Sequence, residues 1–193
     1  LRSFSAWEEV LGSSSVSIMP TLETAEVFEP GAMARFRDVL RDSPLKTRVT
    51  ALRVGGNDLL SRLGVRRRPG TTAYDLPLGP LMSSLLGIFR PAGFSLTAPV
   101  FDVLDDAATF AREIATDVLW GFVGKTAIHP DQVERIDQAF RVTPEDWAEA
   151  NAILAEGAGA VFRVGGAMCE PATHRAWAQA ILQRHRRFGA TEG

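Results

Sequence analysis

Four times in succession this chain repeats one local pattern. A short apolar, often β-branched stretch ends in a turn marked by glycine, proline or acid, and a helix-compatible segment follows. The stretches are residues 16–22, 49–54, 94–101 and 122–128, and their composition suits strands. The first helix opens near Pro30 and places Met33, Phe36, Val39 and Leu40 on one face. A second starts at Leu59 and is stopped by Gly64, and a third covers 81–89. Asp105 and Asp106 cap a fourth over 107–120, and a fifth covers 131–140. Two parallel strands can be joined only by a crossover, so strand–helix alternation predicts a parallel α/β sheet.

The C-terminal quarter departs from this rhythm. Thr143, Pro144 and Asp146 mark a helix start, with a hydroxyl cap, a pre-set φ and a reciprocal acid. That helix is expected to run to Gly157. An apolar piece at 160–164 leads through Gly165-Gly166 to an amphipathic helix over 172–187, with Trp177, Ile181 and Leu182 on its apolar face. Two domains are therefore expected, a sheet-containing one at 1–140 and a helical extension at 141–193. Residues 5–11 read as the end of a helix stopped by Gly12, and 66–77 as a long loop.

Composition narrows the function classes. A chain of 193 residues, 46 % hydrophobic, can bury a core of its own. Its net charge of −2 gives no field to attract nucleic acid or a membrane. The single cysteine, Cys169, excludes an intrachain disulfide and fits a reducing compartment. No apolar run reaches the ~18–20 residues a membrane span requires, and the start shows no signal-peptide pattern. A cytoplasmic location is expected. The first residue is Leu1 rather than Met, which reads as a processed, trimmed or partial chain.

In parallel α/β folds the chemistry collects at the C-terminal ends of strands. Those ends offer Glu23, Asp58, Thr97 to Pro99, Lys125 and His129. Two carboxylates from different strand ends suit a hard cation such as Mg²⁺, or Mn²⁺, which leaves its other positions to water and substrate. Each also has an ordinary structural reading, Glu23 as an acid near a helix start and Asp58 as a cap. Lys125 and His129 lie in Gly121-Phe122-Val123-Gly124-Lys125-Thr126-Ala127-Ile128-His129-Pro130, where an apolar run stops in a basic turn. Arg66-Arg67-Arg68 is either a solvated loop face or a phosphate contact. Cys169 has no evident His partner, and Gly55-Gly56 is not a dinucleotide fingerprint.

The stretch 121–130 resembles the G-x-x-G-K-x-x-I-H-P signature of the citrate lyase beta-subunit, malyl-CoA lyase and HpcH/HpaI aldolase superfamily. Met19-Pro20-Thr21-Leu22-Glu23-Thr24-Ala25 is similar to its P-x-I-E-T-A strand end, and Val54-Gly55-Gly56-Asn57-Asp58-Leu59 to its F-G-x-x-D-L strand end. Gly165-Gly166-Ala167-Met168-Cys169-Glu170-Pro171 weakly resembles its D-G-x-M-I-D-x-P segment. Segments such as Tyr74-Asp75-Leu76-Pro77-Leu78-Gly79-Pro80 and Leu96-Thr97-Ala98-Pro99-Val100-Phe101 look like the C–C-bond-lyase-like branch associated with tellurium-resistance clusters.

The resemblance implies a (β/α)8 TIM barrel, of which this chain would be the C-terminal half, strands five to eight, plus the extension. It implies Glu23 and Asp58 as metal ligands, Thr97 and Lys125 as substrate-binding residues, and His129 and Glu170 as catalytic ones; the residues alone leave Lys125 free to snorkel past the strand end, His129 to donate to a backbone carbonyl, and Glu170 to serve as a helix-start acid before Pro171. Glu170 would act as an acid entering a neighbouring subunit's site, so a homo-oligomer is expected. Thr97 stands where relatives usually carry an Asp. The superfamily's substrate-gripping Arg, from a V-R-x-N segment, has no counterpart here.

The expected activity is metal-dependent carbon–carbon bond cleavage of an acyl-CoA thioester or a small keto acid through an enolate. Two alternatives stay open: thioester hydrolysis on the same scaffold, and a non-catalytic half-barrel acting as a subunit or interaction module.

Overall fold

The computed structural model describes residues 6, 9–11 and 14–191. It divides into two compact units, residues 1–130 and 131–193. Residues 9–11 are helical, while Ser5 and Gly12 of the expected first helix end lie outside the described residues.

The first unit is built on a parallel sheet of β1 (Thr21–Leu22), β2 (Leu52–Val54) and β3 (Leu96–Thr97), in that spatial order. Its register pairs Leu22 with Val54, and Arg53 with both Thr21 and Thr97. The helices between the strands are α1 (Pro30–Asp42), α2 (Gly56–Arg62) and α3 (Leu78–Phe89), with α4 (Ala107–Leu119) after β3. Gly56 to Asp58 already belong to α2, which therefore begins three residues before the expected start at Leu59.

The strands are shorter than the sequence suggests, and the reasons are local. Pro20 lacks the N–H that would continue the ladder; below it, pairing resumes only as a bridge between Ile18 and Val49. Residues 122–128 form no regular strand. They still occupy a fourth position beside β3: the Val123 N–H donates to Leu96 O at 2.9 Å, the Ala98 N–H to Gly124 O at 2.8 Å, and Ala98 bridges Lys125 in parallel.

Side chains alternate across these strands. Leu22, Leu52, Val54, Leu96 and Ala98 are buried in a core with Met33 and Leu40 of α1 and Met82, Leu85 and Phe89 of α3. Each fully buried Leu contributes about 1.5–3 kcal/mol through apolar area removed from water.

The second unit holds α5 (Pro130–Phe140), α6 (Pro144–Leu154), an antiparallel hairpin of β4 (Phe162–Val164) and β5 (Ala167–Cys169), and α7 (Pro171–Phe188). Thr143 caps α6 as expected, its hydroxyl accepting from the Asp146 N–H at 3.1 Å. The hairpin was not foreseen. Val142, Ala150, Ile153, Cys169, Ala178 and Ile181 make this unit's own core. No helix among the described residues is long and apolar enough to cross a membrane.

Candidate active site

The sheet face opposite the core carries several of the candidate residues. Thr21, Arg53 and Thr97 form one cross-strand row, set by the register. Glu23, two residues beyond Thr21, projects from the same face at the end of β1. Glu23 packs on Gly55, where an added Cβ would sit 2.5 Å from the Glu23 Cβ and 3.1 Å from Oε2. Any larger residue at 55 would displace the carboxylate, so this glycine makes room for Glu23. Asp58 stands exposed in the first turn of α2, directly after β2. The expected carboxylates thus come from the same end of adjacent parallel strands.

Among the described residues no cluster of three or more His, Cys, Asp or Glu is arranged around a metal position. Two oxygen donors with solvent access still fit what Mg²⁺ takes from proteins, one or two carboxylates with the remainder water and substrate. The fit rests on this donor chemistry and on the space left by Gly55.

Lys125, expected at the barrel mouth, is placed elsewhere. Its pairing with Ala98 sends the side chain to the core side of the sheet. There its ammonium, with 0 % exposure, donates to Glu113 Oε1 at 2.7 Å and Asp117 Oδ2 at 2.9 Å. The Tyr74 hydroxyl donates to Asp117 Oδ1 at 2.6 Å, and the Ala73 N–H to Glu113 Oε2 at 2.6 Å. Arg67 pairs with Glu113 from the other side, donates to Val100 O at 3.2 Å, and covers the Phe101 ring at 4.7 Å. Its Nε lies 3.0 Å from Asp102 Oδ1, close enough for an ion pair though not aligned as a hydrogen bond.

This network links α4, the 66–77 loop and the fourth strand position. Burial raises the Asp117 carboxyl above its usual range, against the opposing pull of Lys125. Burial, followed by the Asp117 charge, also raises the Tyr74 phenol, which stays a neutral donor.

The other candidates divide. Thr97 is 8 % exposed and its hydroxyl has no partner. His129 is exposed in the bend before α5. Glu170 belongs to the second unit and precedes α7; its Oε2 accepts from the Thr173 hydroxyl at 3.1 Å, the part a helix-start acid plays. Arg66 and Arg68 are exposed, and Arg66 lines an open cleft of about 270 Å³ with Asn57, Leu60 and Ser61. Cys169 is buried, its thiol 3.5 Å from Glu149 Oε1.

Sequence reasoning missed Arg53, Glu113 and Asp117. Arg53 had a visible signal, a lone charge inside an otherwise apolar strand. The two acids look like ordinary solvent-facing positions of an amphipathic helix.

The profile of the C–C bond lyase family of the TIM-barrel fold matches residues 2–190. The chain belongs to this family. A (3S)-malyl-CoA thioesterase of Cereibacter sphaeroides (strain ATCC 17029 / ATH 2.4.9) is 32 % identical over 108 residues, 56 % of this chain and 36 % of that protein. A citrate lyase subunit beta-like protein of Deinococcus radiodurans is 32 % identical over 113 residues, 58 % of this chain and 38 % of that protein.

Among solved structures, a citrate lyase from Burkholderia xenovorans LB400 superposes with a TM-score of 0.67 at 22 % identity, covering 97 % of this chain and 59 % of the other. CitE from Mycobacterium tuberculosis, in complex with magnesium, acetoacetate and coenzyme A, gives a TM-score of 0.61 at 21 % identity, covering 91 % and 63 %. These superpositions agree with the expected TIM-barrel fold, and the family match and the sequence relatives agree with the expected citrate-lyase-beta superfamily. The matches span little more than a third of the curated relatives' length and about three fifths of the solved neighbours'.

Proposed function

We propose that this chain carries the divalent-cation end of a carbon–carbon bond lyase or aldolase acting on an acyl-CoA thioester or a small keto acid. The observation that carries the reading is the placement of Glu23 and Asp58 at the same end of adjacent parallel strands, with Gly55 making room for Glu23. A cation held there would supply electrophilic polarisation of a substrate carbonyl.

The chain's own groups do the rest. Glu23 and Asp58 hold charge at the strand ends, and the Thr97 hydroxyl offers a polar contact deeper in. His129 and Glu170 remain the proposed proton-handling groups, Glu170 from a neighbouring subunit. Lys125 acts through Glu113 and Asp117, as a positioning residue that fixes the fourth strand position. The magnesium and coenzyme A bound to CitE support the cofactor and substrate class.

Thioester hydrolysis is the second reading, favoured by the malyl-CoA thioesterase relative. Product analysis separates them: bond cleavage yields two carbon fragments, hydrolysis one acid and free thiol. The cation site is tested by calorimetric titration of the full-length protein with Mg²⁺ and Mn²⁺. Glu23→Gln and Asp58→Asn should each weaken binding at least tenfold, a loss of about 1.4 kcal/mol or more. Unchanged affinity in both variants sinks the assignment.

A further inference from the structure

Five buried side-chain atoms among the described residues lack a hydrogen bond: Arg53 Nε, Arg67 Nε, Thr97 Oγ1, Asp102 Oδ1 and Arg184 Nε. Three have evident explanations. Arg67 and Asp102 face each other as an ion pair, and Arg184 reaches Asp146 through Nη2 at 3.4 Å. Arg53 Nε and Thr97 Oγ1 have no such partner among the described residues, although the Arg53 side chain as a whole is only half-buried. They are also register partners on adjacent strands, on the sheet face that carries Glu23. A buried donor or acceptor left unmade costs about 1–3 kcal/mol, and the penalty is larger for a charged group. Two such groups side by side, in a row of otherwise well-paired strands, are costly unless something bonds them.

From this row we infer an anion subsite for the carboxylate of the substrate, with Arg53 as the binding cation and Thr97 as the second donor. The inference rests on the cation site proposed at Glu23 and Asp58. Arg53 lies two residues before Gly55, the neighbour of Glu23, a rise of about 6.6 Å along β2. A small 2-oxo acid, or the acyl end of a thioester that carries a free carboxylate, spans about that distance. Its carbonyl would face the strand-end carboxylates and their cation while its carboxylate meets the guanidinium. Arg suits this task because its planar fork can bind both carboxylate oxygens.

Oxalate is the probe, titrated into the full-length protein with and without Mg²⁺. The variants are Arg53→Met, Arg53→Lys and Thr97→Val. Arg53→Met should lose oxalate affinity by about tenfold or more, Arg53→Lys by less, and Thr97→Val by a few-fold. Melting temperatures of Arg53→Met and Thr97→Val should hold or rise, because each removes a buried polar atom that lacks a hydrogen bond. Loss of oxalate binding in Arg53→Met with or without Mg²⁺ supports the subsite even if the cation assignment fails. Three results would overturn it: wild-type affinity in Arg53→Met, no oxalate binding by the wild type at millimolar concentration, or a large fall in melting temperature in Arg53→Met. The last would make Arg53 a structural ion-pair residue instead.

Discussion

Lys125 illustrates how a sequence motif can mislead about the direction of a side chain. Its position in a basic turn suggests a strand-end cation open to substrate. Pairing with Ala98 fixes the opposite parity, and the ammonium ends between two acids of α4. A one-residue step along a strand exchanges the two faces of the sheet, so the motif could not reveal which face the side chain takes. Glu23 and Asp58 were easier to read, because a strand end is a location and needs no parity. Removing the Lys125 charge leaves Glu113 and Asp117 buried without their shared cation. Breaking a buried pair in this way costs about 3–5 kcal/mol. Lys125→Met should therefore lower stability by that order in urea denaturation, with KM little changed when the same variant is made in the complete enzyme. A stable variant with a raised KM would return Lys125 to the substrate.

At the scale of elements, what was legible depended on whether the signal was local. Helix starts with a side-chain cap were read well because a cap is a few adjacent residues: Thr143, whose hydroxyl accepts from the Asp146 N–H, and Asp106, whose carboxylate accepts from the Thr109 N–H at 3.1 Å. Strand lengths were overestimated because pairing depends on partners far along the chain and on the missing N–H of Pro20. The β4–β5 hairpin had a strong local signal that the helical neighbourhood obscured. Gly165 and Gly166 take φ of +55° and +89°, the positive angles a tight two-residue hairpin turn requires. Gly165 lies open to space and a Cβ at Gly166 would make only ordinary contact with Arg163, so a substitution there is opposed by backbone conformation rather than by crowding. Gly165→Val should destabilise the second unit by about 1–2 kcal/mol, while Gly165→Asn, which tolerates this region, should cost less. Equal stability of Gly165→Val and wild type, by thermal denaturation, would mean the turn can relax to another type.

The molecule as a whole presents an arrangement that a complete barrel would close. Three paired strands and a fourth strand position form a sheet whose helix-covered face is packed and whose other face carries Thr21, Glu23, Arg53 and Thr97. Parallel sheets are normally covered on both faces, and in a TIM barrel the second face is closed by the remaining strands. Among the described residues β1 has no strand on its outer side. Exposed apolar side chains include Val16 and Met19 before β1, Leu104 after β3 and Ile128 beside the fourth position. Edges and patches of this kind drive association unless covered. The 193-residue chain alone, 21.0 kDa, is therefore expected to sediment as a dimer or larger species at micromolar concentration. It should show little turnover without the remaining strands, because positioning of substrate supplies several kcal/mol of barrier lowering in enzymes generally. A compact, well-folded monomer that turns over a CoA thioester unaided would show that these residues close their own inner face, and that four strand positions suffice for the site.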